Sequence, residues 1–332
     1  MRLSILDQAP ISSNQSPQEA LQESMKLAQV GENLGYTRYW IAEHHDLPGL
    51  ACSAPEVMLG YIGANTNHIR IGSGAVLLPH YKPYKVAEVY NMLATLFPGR
   101  IDVGIGRAPG GSAEATNALS DNFLQQVWNM PNAVKELLHF LDNTVPPEHH
   151  HAKVTASPIP TLPPIPWLLG TSKKSAILAA ENGLAYAFGQ FMSDKDGATI
   201  IEQYRNHFKP RKHNATPQVI VTVSAICAET TEKAEEVALS SLVWGLQRKR
   251  GEGQKGVPSI QEAKDYLRNE NENLIEEMKN RMVIGNPQQV RKRIEDLQEK
   301  YNANEIMIVS ITHLPSDKIQ SYKLIAEGIV EN

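Results

Sequence analysis

Two hydrophobic periods alternate along the chain. Short apolar runs bounded by Gly, Pro and polar residues read as strands. The stretches between them return an apolar side chain at helical spacing. Leu3 to Leu6 is the first strand. Ser16-Pro17-Gln18-Glu19 opens the first helix: Ser16 can accept from the Glu19 amide, Glu19 can reach back to Ser16, and Pro17 sits where no amide donor is needed. Ala20, Leu27, Val30, Gly31 and Leu34 share one face of that helix, and Gly35 ends it. Tyr39 to Ala42 is the second strand. Ser53-Ala54-Pro55-Glu56 reads as a second capping box, opening a helix to about Ala64. Ile69 to Leu78 is the third strand, a helix runs from Pro83 to the Pro98-Gly99 stop, and Ile101 to Ile105 is the fourth strand.

The same rhythm continues with insertions. Asp121 to Leu141 reads as one helix and Asn143 to Pro166 as a Pro-rich irregular segment. Pro166 to Leu169, Leu184 to Phe188, Val219 to Ala228 and Glu305 to Ser310 complete the strands. Helices follow at Ser172 to Asn182, Asp196 to His207 and Glu232 to about Gln247. A further capping box, Asn286-Pro287-Gln288-Gln289, starts a helix to Tyr301, and a last helix runs to Val330. Strand and helix in regular alternation predict an α/β fold, a (β/α)8 TIM barrel with insertions after strands 4 and 7. Nothing reads as a linker, so residues 1–332 are expected to form a single domain. The second insertion, about 248–280, joins the basic, glycine-rich Arg248 to Gly256 to a polar, exposed helix at Gln261 to Lys279. It precedes the eighth strand and is expected over the catalytic end as a mobile lid.

Composition narrows the partners. The 332 residues carry a net charge of -4, with no basic excess to neutralise phosphates, which argues against nucleic acid. Cys52 and Cys227 read as free thiols in a reducing compartment. Met1 to Asp7 does not resemble a signal peptide, and no apolar run approaches the ~20 residues of a membrane helix. A cytoplasmic location and no membrane contact are expected.

In a barrel, chemistry gathers at the strand C-termini. Asp7, Gln8 and Ser12 follow the first strand and read mainly as structural. Glu43, His44 and His45 end the second. Adjacent side chains on a strand point to opposite faces, so at most one of the two histidines faces the pocket. No further residues at metal spacing follow, so no metal site is expected. His149-His150-His151 lies in the Pro-rich insertion and reads as a surface loop. Gly72 and Gly74 near the third strand's end suit a bulge, or the close approach of a backbone or flat ligand. Gly104 to Gly111 is neither a dinucleotide fingerprint, since Pro109 stands where the third glycine belongs, nor a P-loop. It leaves Arg107 free for an anionic group. Gly170-Thr171-Ser172, followed by Lys173, Lys174 and Ser175, combines free amides, a helix dipole and hydroxyls, which suits a phosphate. Arg107 and this turn come from neighbouring strands, so both can hold one phosphate. A flat ligand with a phosphate tail fits these pieces better than a metal.

Several separated motifs carry a family resemblance: Trp40 to His45, Gly72 to Pro79, Phe97 to Arg107, Trp167 to Ser172 and Ile284 to Pro287. Over nearly its whole length the chain resembles the bacterial luciferase-like flavin oxidoreductases, and Leu3 to Pro10 is similar to a subgroup described as luciferase-like monooxygenases. The resemblance implies FMN in the barrel mouth. Its phosphate would lie near Arg107, Gly170, Thr171, Ser172 and Ser175, and a non-prolyl cis peptide would join Gly74 to Ala75. It implies His44 as the catalytic histidine, with Glu43 or His45 orienting its ring. The implied reaction is a monooxygenation of a small organic substrate by reduced FMN and O2, the flavin being reduced in place by NAD(P)H or supplied by a separate flavin reductase. A homodimer is implied through the second and third helices, Ala54 to Ala64 and Pro83 to Leu96, where Gly60, Gly63 and Ala64 permit close approach. Thr171 stands where luciferase carries an acid, and light emission is not expected. Three alternatives stay open: F420-dependent hydride transfer, flavin binding without catalysis, and an aldolase- or isomerase-type phosphate barrel.

Overall fold

The computed structural model describes residues 1–211, 216–268 and 270–329. Its strands are β1 (Leu3–Asp7), β2 (Arg38–Ile41), β3 (Arg70–Ser73), β4 (Val76–Leu77), β5 (Ile101–Gly106), β6 (Ile165–Gly170), β7 (Ala185–Gly189), β8 (Val219–Cys227), β9 (Val283–Gly285) and β10 (Glu305–Val309). The helices are α1 (Pro17–Asn33), α2 (Pro55–Ala64), α3 (Pro83–Leu96), α4 (Ala113–Leu119), α5 (Phe123–Trp128), α6 (Met130–Asp142), α7 (Lys173–Glu181), α8 (Gly197–Asn206), α9 (Thr231–Lys249), α10 (Ile260–Leu267), α11 (Glu272–Asn280), α12 (Pro287–Tyr301) and α13 (Pro315–Ile329). The expected end of the last helix, Val330, lies outside the described residues.

Every strand pair is parallel. The order β10–β1–β2–β3–β5–β6–β7–β8 closes on itself because β8 also pairs with β10, giving the (β/α)8 barrel. β4 resumes the third strand beyond a bend and pairs with β5, and β9 extends the outer end of β8. The insertions fall where expected, after the fourth and seventh barrel strands.

Local chemistry explains the differences from the sequence reading. The boxes at Ser16 and Asn286 form. The one at Ser53 does not. Pro55 is the first helical residue, so Ala54 holds the cap position and makes no side-chain bond, and Glu56 sits one place too early to reach back. The expected helix from Asp121 to Leu141 is two, α5 and α6, divided at Asn129. Pro131 brings no amide to continue the ladder. α4, which the apolar pattern missed, is capped by Ser112 accepting from the Ala115 amide. Gln261 to Lys279 likewise splits into α10 and α11, the second capped by Asn271. The third strand is interrupted by a cis peptide between Gly74 and Ala75.

Most apolar side chains pack between the barrel and its helices. A smaller cluster, including Leu6, Trp40, Trp167, Ala187, Ile220 and Met307, fills the lumen. Below it, a buried polar plug seals the floor. Arg38 donates to Asp102 (2.7 Å) and Glu305 (2.7 Å), Trp40 Nε1 donates to Asp102 (3.0 Å), and Ser4 donates to Glu305. Arg70 also donates to Asp102 (2.6 Å), so two cations face two carboxylates and this end of the lumen is closed. On the outer surface, Gly63 does not serve close helix approach: the Phe97 ring of the same chain lies within 2.4 Å of where its Cβ would be. Among the described residues, no helix is long and apolar enough to cross a membrane.

Candidate active site

The open end of the barrel holds a cavity of about 330 Å³, a size suited to a small molecule or cofactor. β2 contributes Glu43 and His44, the bend contributes Gly74 and Ala75, and the turn after β5 contributes Arg107. Gly170, Thr171, Ser172 and Ser175 enter from β6 and the start of α7, over an apolar floor that includes Leu6 and Ala187. Of the ten residues given a catalytic or cofactor-binding role from sequence, only His45 does not line it. Gln8 lines the wall, whereas Asp7 is tied to the Ala9 amide and the Tyr39 hydroxyl, and Ser12 to the His313 carbonyl.

The cluster at the end of β2 divides into a pair and a single residue. Glu43 is buried and accepts three hydrogen bonds: from His45 Nε2 at 2.8 Å, from the Tyr81 hydroxyl at 2.7 Å and from the Leu77 amide at 3.0 Å. Neither Glu43 nor His45 orients His44. The His44 amide donates to the Cys52 carbonyl, while its Nδ1 is buried without a hydrogen-bond partner among the described residues. Burial first, then the Arg248 charge and electrostatic coupling to His45, lower its pKa from 6.5 to about 4, so its imidazole is neutral near pH 7.

The opposite wall suits an anion. Among the described residues, Arg107 is exposed and has no acid partner. Ser172 caps α7, Ser175 completes a reciprocal box with it, and the Lys173 and Lys174 amides precede the first intrahelical acceptor. Gly170 is required: a Cβ there would sit 2.3 Å from Ser175 Oγ. Bare backbone also shapes the space between the two walls. A Cβ on Gly106, which lines the cavity, would meet the Ala75 methyl at 2.9 Å. An unpaired cation beside a helix start, glycine backbone along the wall and an orphaned ring nitrogen together fit a ring with a phosphate tail. A second cavity of about 380 Å³ adjoins the first at Arg107, Leu169 and Ser175.

Sequence reasoning missed several groups. Tyr81 and the Leu77 amide hold Glu43 across a separation no local pattern reveals. Thr222, Phe191 and Met192 line the cavity with no motif around them, although Phe191 and Met192 follow a strand end, the one signal that could have found them. The segment after α9 is tied to the loop that follows β1. Val257 exchanges backbone hydrogen bonds with Ile11 (2.8 Å) and Ser13 (3.0 Å), and Arg248 lies 4.9 Å over the Trp244 ring.

The sequence profile of a family described as luciferase-like monooxygenase matches residues 1–302. The chain is 43% identical to the Bacillus subtilis (strain 168) protein YceB over 328 residues, 98% of this chain and 99% of the other. It is 34% identical to an N-acetyl-S-alkylcysteine monooxygenase of the same organism, over 99% of this chain and 98% of that one. The solved structure of apo-MsnO8 superposes with a TM-score of 0.91 at 34% identity, covering 98% and 97% of the two chains. Two more distant structures share the fold. One is the oxygenating constituent of 3,6-diketocamphane monooxygenase from Pseudomonas putida in complex with FMN (TM-score 0.75, 19% identity, 99% and 98% covered). The other is an F420-dependent secondary alcohol dehydrogenase (TM-score 0.69, 15% identity, 99% and 98% covered).

Proposed function

The chain belongs to the luciferase-like monooxygenase family, and on that premise we propose that it is an FMN-dependent monooxygenase acting with O2 on a small organic substrate. The observation that carries this reading is the two-ended cavity: a free Arg107 beside the α7 start at one end and the unpaired His44 nitrogen at the other. The name of the 34% identical relative supports oxygen chemistry over hydride transfer and makes S-alkylated N-acetylcysteines the first substrates to try.

Arg107, Thr171, Ser172, Ser175 and the first amides of α7 hold the phosphate. Gly74, Ala75 and Gly170 leave room for the ring. When bound in its reduced form, the flavin supplies the electrons that activate O2. The protein's own residues do the rest. His44, neutral at pH 7, takes or returns one proton at its free nitrogen. The Glu43–His45 pair fixes the loop from which His44 projects. The apolar floor excludes water, and the segment 248–256 closes over the rim as a lid. Electrons arrive from NAD(P)H, either directly or through a separate flavin reductase.

Two copies pair through α2 and α3. Val57, Tyr61, Met92 and Leu96 are large, apolar and exposed there, and Gly60 has open space where a Cβ would be.

The test supplies FMN, NADH and a flavin reductase and follows product from N-acetyl-S-methylcysteine and related thioethers. His44→Ala is expected to hold FMN within about twofold of wild type and to lose oxygen transfer. Unchanged turnover would remove His44 from the chemistry. Binding of F420 but not FMN would move the chain to the hydride-transfer reading.

A further inference from the structure

The histidine run at 149–151 meets an acid on α6. Backbone hydrogen bonds from His149 to Pro146 (3.0 Å), Ala152 to His149 (2.9 Å) and Val154 to His151 (3.0 Å) wind residues 146–154 into successive turns. The loop is anchored beyond them: Ala156 is buried, and its carbonyl accepts from Asn91 Nδ2 at 2.7 Å. Within the turns, the His150 and His151 rings lie 4.0 Å apart. His151 Nε2 is 3.7 Å from Glu136 Oε1, and one ligand atom from each of Glu136, His150 and His151 falls within 4.8 Å of the others.

We propose that Glu136, His150 and His151 form a binding site for a divalent transition metal of the zinc class, which clips the 143–164 loop to α6. Two imidazole nitrogens and one carboxylate oxygen suit zinc and its neighbours rather than calcium or magnesium. Zinc bonds of about 2.0–2.2 Å need these side chains to close by roughly 1 Å, a rotamer adjustment for groups that are exposed or half-buried. Three protein ligands leave the fourth position to water.

His149 is not a ligand, although its ring lies 4.2 Å from that of His150. Its Nδ1 accepts the His151 amide at 3.2 Å, which puts its remaining proton on Nε2. Ligating through Nε2 would require that proton to move and this turn contact to break. The site is also separate from the barrel mouth. None of its three residues lines either cavity, and Glu136 lies about 9 Å along α6 from Met130, which does. The ion therefore holds the insertion in place and takes no part in oxygen transfer.

The test is a zinc titration of untagged protein, stripped with chelator, by isothermal calorimetry. Wild type is expected to bind about one equivalent, with Glu136→Gln weakening it by tenfold or more, which is about 1.4 kcal/mol. His150→Ala and His151→Ala abolish binding, and His149→Ala leaves it unchanged. Circular dichroism of the zinc-free variants matches wild type, because the altered groups are not core residues. Zinc is also expected to slow proteolysis of the 146–154 turns in wild type and not in Glu136→Gln. Undiminished binding in Glu136→Gln, or loss in His149→Ala, would show chelation by a histidine run and overturn the site, as would failure of wild type to bind.

Discussion

His45 Nε2 lies 2.8 Å from Glu43 Oε1, and neither group is hydrogen-bonded to the His44 ring between them in sequence. Three titratable residues in a row therefore do two separate jobs. The outer two brace the mouth, because Glu43, paired with His45, also accepts from Tyr81 and the Leu77 amide, next to the cis peptide. The middle one faces the cavity.

Removing the brace carries a stability cost. Glu43→Ala strands the half-buried Tyr81 hydroxyl and the buried Leu77 amide and is expected to lower the unfolding free energy by roughly 3 kcal/mol. Urea denaturation measures this. A change under about 0.5 kcal/mol would mean that Glu43 does not anchor Tyr81 and the Leu77 amide.

His44 titrates abnormally. Its pKa is lowered from 6.5 to about 4, so between those values the unfolded chain binds the extra proton and the folded one does not. Its contribution to stability is complete above 6.5 and is lost as the pH falls toward 4. Histidine-selective NMR should show one ring titrating near 4 in wild type. In Arg248→Gln that midpoint rises only part of the way, since burial is the first cause and the Arg248 charge the second. A His44 midpoint near 6.5 in wild type would contradict the buried geometry.

Much of this was legible in the sequence because strand ends announce themselves. Arg107, Thr171 and Ser172 follow apolar runs directly, so the barrel's topology delivers them to one rim. The split of Glu43 and His45 from His44 was not legible, because it depends on Tyr81 and Leu77 returning across the third strand's bend. The break between α5 and α6 was present as Pro131 but was outweighed by the helical spacing on either side. Thr222 sits inside an apolar strand, where nothing local marks it as facing the cavity.

The α2–α3 face offers a third check. Tyr61→Glu with Met92→Glu places charge on the exposed apolar stripe and is expected to turn a dimer into a folded monomer in sedimentation velocity. A wild-type monomer, or a variant that still dimerises, would exclude this face.

The central claim is that the cavity holds the flavin by its phosphate. It is tested by equilibrium binding of FMN and riboflavin to wild type and to Arg107→Ala, a cycle that isolates one contact. FMN is expected to bind wild type at least tenfold more tightly than riboflavin does, and Arg107→Ala should erase most of that difference while leaving riboflavin unaffected. Equal affinities for the two ligands in wild type, or an advantage for FMN that survives in Arg107→Ala, would contradict the account.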